Sequence, residues 1–137
     1  MEDMVRLNKT HLQEEQINKL FFQLATMLTS KQAGHVNAVL FEILGREEQI
    51  MIAKRLAVIL LISEGLSSYK IGNTLKLSES TIASIRNKLA NDKYDTIMQN
   101  LGKSKKKYFD LLTTLDSILH LGGILPHYNG LDRYKGL

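Results

Sequence analysis

A chain of 137 residues, 44% hydrophobic and 23% charged, suits one globular domain, and no apolar run in it approaches the about 18 residues of a membrane span. The absence of cysteine excludes disulfides, thiol nucleophiles and cysteine-ligated zinc, and fits a cytoplasmic protein. The net charge of +4 is uneven: residues 1–66 hold 7 Lys/Arg against 8 Asp/Glu and residues 67–137 hold 11 against 6, so the second half reads either as a face that favours a polyanion or as a charge that serves solubility alone.

Met1–Lys9 carries Glu2 and Asp3 without an apolar stretch and does not read as a signal peptide. Apolar residues then recur at spacings of three and four, with no alternating runs, which predicts an all-α fold. A first helix is expected over Glu14–Leu28, with Ile17, Leu20, Phe21, Leu24 and Leu28 on one stripe. Ser30 is the expected cap of a second helix over Lys31–Leu44, closed by Gly45. A third, over Arg46–Ser63, opens with Glu47 and Glu48 and ends in an all-apolar segment, Leu56–Ile62, that needs cover on every side. In so small a chain, a second subunit is one source of that cover. Two short helices follow over Ser68–Leu75 and Glu79–Leu89, then a helical region over Asp92–Leu121 broken near Gly102, with Phe109, Leu112, Leu115, Ile118 and Leu119 as its apolar pattern. Residues 1–121 are read as a single domain and 122–137 as an irregular tail that mixes aromatic and basic residues.

The two short helices carry the functional signal, a helix-turn-helix over residues 67–89. Ser67 or Ser68 caps the first helix and Ser78 the second. Gly72 is small where the second helix must cross closely, Leu77 fills the angle between them, and Ile82, Ile85 and Leu89 form the buried stripe of the second. The opposite side of that helix then holds Ser80, Ser84 and Asn87, flanked by Ala83 and Lys88. These are small polar and methyl-bearing groups suited to base edges in a major groove. Ser67, Ser68, Tyr69, Lys70, Lys76 and Arg86 are candidate phosphate contacts. Lys103 and Lys105–Lys107 read either as an extension of that footprint or as a solvated helix start.

The stretch Leu44–Leu89 resembles the Trp repressor superfamily, and within it the Trp repressor-like YerC/YecD group. The resemblance is carried by Leu44–Glu48, Ala53–Val58, Glu64-Gly65, Ser68-Tyr69, Ile71, Leu75 and Thr81-Ile82. It implies an intertwined helical homodimer that presents two recognition helices to half-sites about one DNA turn apart. Tryptophan-responsive members hold the indole between two arginines. Arg55 stands at one of those positions and Ser84 at the other, which argues against L-tryptophan as a co-repressor.

The chain offers little to catalysis. His11, His35, His120 and His127 have no metal-ligand spacing, the adjacent pairs Glu14-Glu15 and Glu47-Glu48 point to different helix faces, and no glycine-rich phosphate loop occurs. No cofactor is expected. The reading is a repressor-like regulator that binds double-stranded DNA as a homodimer and has no membrane association. The alternative is a protein-interaction adaptor or a replication-type DNA binder on the same fold.

Overall fold

The structure, a computed structural model, describes residues 12–122, so the irregular tail expected over 122–137 lies outside the described residues except for Gly122. Among the described residues there are seven α-helices and no strand. They are α1 (Glu14–Leu28), α2 (Ala33–Ile43), α3 (Arg46–Ser63), α4 (Ser68–Leu75), α5 (Glu79–Ala90), α6 (Asp95–Gly102) and α7 (Lys105–Leu119). None is long and apolar enough to cross a membrane. The described residues fall into two compact units that divide between Gly45 and Arg46.

In the first unit α1 starts where the Gln16 side chain accepts from the Gln13 backbone N–H at 3.0 Å. It ends at Thr29, whose hydroxyl donates to the Ala25 carbonyl at 3.1 Å. Ser30 was the expected cap of the next helix, but it adopts a left-handed conformation (φ 65°) and α2 begins two residues later than expected, behind an extended Gln32. Leu44, rather than Gly45, is the capping residue at the other end. Neither helix buries a residue. Leu20, Phe21, Phe22 and Met27 of α1 and Leu40, Phe41 and Ile43 of α2 are exposed.

The second unit is built around the C-terminal half of α3, where Ala57, Val58, Ile59, Leu60 and Leu61 are buried in succession. Five consecutive buried positions exceed one helical stripe, so neighbours must lie on several sides. Ile71 and Leu75 of α4, Ile82 and Ile85 of α5, Leu112 of α7 and Leu121 join Ala57, Val58, Ile59 and Leu61 in one cluster. Each such residue contributes about 1.5–3 kcal/mol of burial before entropy is counted. The chain leaves α3 through Gly65 (φ 90°), with Leu66 N–H donating to the Leu61 carbonyl at 3.1 Å. The region expected as one broken helix is two, α6 and α7, with Ser104 capping α7 through the Lys107 N–H at 3.2 Å. Ile118 departs from the expected apolar pattern: it is exposed, and Leu115 and Leu119 pack on the core instead.

Candidate functional site

The site is assembled on α4, the turn Lys76–Ser78 and α5. Local hydrogen bonds set both starts. Ser67 Oγ accepts from the Lys70 N–H at 3.1 Å, and Ser78 Oγ from the Thr81 N–H at 3.2 Å. Serine does this well because its short side chain reaches the donors that a first turn leaves unpaired. The turn closes through Lys76 in the left-handed conformation (φ 56°), with its N–H and that of Leu77 both donating to the Gly72 carbonyl. Gly72 is required by space: a Cβ there would lie 3.1 Å from the Leu77 carbonyl oxygen and 3.3 Å from Ile82 Cδ1. Leu77 is partly buried against the core, as a residue filling the corner should be.

With Ile82 and Ile85 turned inward, α5 carries Ser80, Ala83, Ser84, Asn87 and Lys88 on its exposed side. These are the residues that the sequence picked as the outward face. Their polar atoms are not all equivalent. Ser80 Oγ lies 3.1 Å from Ser78 Oγ, so the cap and the first outward hydroxyl form one cluster with Thr81. Asn87 Oδ1 accepts from the Asn91 amide at 3.1 Å, which engages its carbonyl oxygen.

The six residues suggested as phosphate contacts divide. Ser67, Tyr69, Lys70 and Lys76 are exposed, Tyr69 at 73% of its surface. Arg86 and Ser68 are paired with each other. The Arg86 guanidinium donates from Nε to Ser68 Oγ at 2.7 Å and from Nη2 to the Leu66 carbonyl at 2.8 Å, in a part-buried position. Arg86 thus ties α5 to the start of α4, on the side nearer the core. This tie needs contacts 18 and 20 residues apart, which helical periodicity does not reveal.

A cleft of about 280 Å³ opens between α3 and α5. Arg55 and Ser84 line it together, joined by Lys54, Lys88, Thr81 and Tyr94. The two positions that the sequence compared with an indole clamp do share one cleft, and the second is a hydroxyl rather than a guanidinium. Lys54 and Tyr94 were not singled out in the sequence. The signal available for Lys54 was its place beside Arg55, whereas Tyr94 reaches the cleft from the connection after α5.

A buried pair anchors the other end of the unit. Glu64 is buried, and Tyr108 donates its hydroxyl to the Glu64 carboxylate at 2.7 Å. Burial, reinforced by the carboxylate, pushes the Tyr108 hydroxyl well above the ordinary tyrosine range, so it stays a donor. Among the described residues no three acidic or histidine side chains gather as a metal site would require. No family model, curated protein or solved structure matches the chain.

Proposed function

We propose that the chain is a sequence-reading, double-stranded-DNA-binding regulator in which α4 and α5 form a helix-turn-helix and α5 enters the major groove. The observation that carries this reading is the division of α5. Its Ile82/Ile85 side is locked into the core and its Ser80/Ala83/Ser84/Asn87/Lys88 side is exposed, on a helix held from behind by Gly72 and Arg86. A helix presented this way keeps a fixed register against a duplex, which direct readout needs. Hydroxyl, methyl and amide groups with one flanking lysine give modest direct readout, assisted by water and by DNA shape. Ser67, Tyr69, Lys70 and Lys76 would hold the backbone on either side.

The protein acts as a homodimer. Support comes from the apolar side chains that one copy leaves uncovered, Leu20, Phe21 and Phe22 on α1 and Ile50, Met51 and Ile52 on α3. The likeness of Leu44–Leu89 to the Trp repressor superfamily points the same way. L-tryptophan is not its co-repressor, because Ser84 leaves the Arg55 cleft with one arginine wall only.

Selection of bound fragments from a random duplex pool tests the reading directly. A two-fold symmetric consensus is expected, and Ser80→Ala with Ser84→Ala relaxes it. An unchanged consensus in the double variant rules out this reading face. Recovery of no duplex sequence favours the adaptor alternative. A sedimentation mass near 15.5 kDa at micromolar protein excludes the dimer. Adding L-tryptophan leaves the affinity for the selected duplex unchanged.

A further inference from the structure

We infer that Lys103, Lys105 and Lys107, around the start of α7, form a second contact surface for the phosphate backbone of duplex DNA, apart from the outward face of α5. The inference rests on the DNA-binding reading above.

Among the described residues, three of the four charges of this patch meet no opposite charge. Lys105, Lys106 and Lys107 fill the first turn of α7, which holds no acid, and Lys103 directly precedes the capping Ser104. Cations there oppose the helix dipole, so the sequence gives up helix stability to place them. Lys106 alone finds a carboxylate, Asp110 at 3.5 Å, with both side chains largely exposed. Among the described residues Lys103, Lys105 and Lys107 are exposed and form no ion pair.

Their location connects them to the proposed interface. The Tyr108–Glu64 hydrogen bond fastens the first turn of α7 to the end of α3, and Lys105 lines a groove there with Ser63. From Ser63 the chain needs only four residues to reach Ser67, a span of at most about 14 Å. Beyond Ser67 come Tyr69 and Lys70, the exposed residues at the start of α4. Two basic starts, of α4 and α7, therefore flank one corner of the unit.

The chemistry selects the ligand. Lysine ammonium groups on flexible stems are point charges that donate to phosphate oxygens from many directions and read no base. Several along an exposed turn, with no enclosing cavity, suit an extended polyanion better than one small anion. A duplex reached by α5 offers such a backbone.

Full-length K105Q/K107Q is compared with K19Q/K31Q, which removes equal charge from exposed positions of the first unit. Binding to the selected duplex and to a random duplex is measured across a salt series. K105Q/K107Q is expected to flatten the dependence of log K on log salt by about 2 and to weaken both duplexes by roughly tenfold. The preference between them stays intact, and K19Q/K31Q behaves as wild type. An unchanged slope in K105Q/K107Q, an equal flattening in K19Q/K31Q, or a lost preference overturns the second surface and leaves the α5 reading standing. A wild-type chain without salt-dependent duplex binding overturns both.

Discussion

Helix α2 and the end of α3 are similarly apolar, yet they end up differently. Val36, Val39, Leu40, Phe41 and Ile43 fall within the 11 residues of α2, and none of them is buried. In α3 the run from Ala57 to Leu61 is buried throughout. Composition does not separate the two segments, but neighbours do. Ala57, Val58, Ile59 and Leu61 cluster with residues of α4, α5, α7 and Leu121, whereas α1 and α2 bury no residue. A buried apolar run is thus a measure of what the chain supplies around it. An uncovered one is where the homodimer proposed above would find its seam.

The largest test of this contrast is truncation on each side of it. Leu61→Ala should lower stability by about 2–5 kcal/mol in urea unfolding, the usual cost of a cavity at a fully buried leucine. Phe21→Ala, at 68% exposure, should change the unfolding of dilute monomer by about 0.5 kcal/mol or less and instead weaken concentration-dependent association. Similar losses for both variants in dilute protein would erase the distinction.

Within the second unit the next effect is steric. Gly72→Val should cost about 1–3 kcal/mol, because the added atoms meet the Leu77 carbonyl and Ile82. DNA affinity should fall with it if α5 is the reading helix. Arg86→Met should cost about 1–2 kcal/mol by leaving the Leu66 carbonyl without its donor. It should weaken all duplexes alike, whereas an outward phosphate ligand would flatten the salt slope with stability unchanged. Tyr108→Phe is the smallest, about 1 kcal/mol, measured by thermal melting. Its pH signature is distinctive. The folded state favours the protonated phenol, so that contribution is intact below the unfolded value near 10 and is lost as the pH rises above it. The phenylalanine variant should lack that alkaline loss.

The elements most legible in the sequence were those held by local bonds. Both serine caps, the bounds of α4 and the tight approach at Gly72 depend on residues three to ten positions apart, within reach of periodicity and capping rules. The outward face of α5 followed from its inward stripe. The Tyr108–Glu64 pair spans 44 residues and the Arg86 ties span 18 and 20, so they exist only once helices from separate segments meet. Ser30 failed as a cap for a local reason: a left-handed residue ends the preceding turn, and α2 starts behind Gln32 without a side-chain cap bond. Ile118 fits a helical stripe on paper, but α7 turns it to solvent and buries Leu112.

The left-handed Lys76 in the turn bears on how this protein could be improved. Ser30, Asp92 and His120 share its conformation, and each gives up about 1 kcal/mol that glycine would not. Thermostabilising exchanges are therefore open at Ser30 and His120, away from α5, whereas Asp92 closes the end of α5 by donating to the Leu89 carbonyl. At Lys76 the same exchange would remove a cation from the corner between α4 and α5. Under the DNA-binding reading proposed above, that one position sets durability against grip on the duplex, and a library screened for heat resistance alone would drift toward losing it.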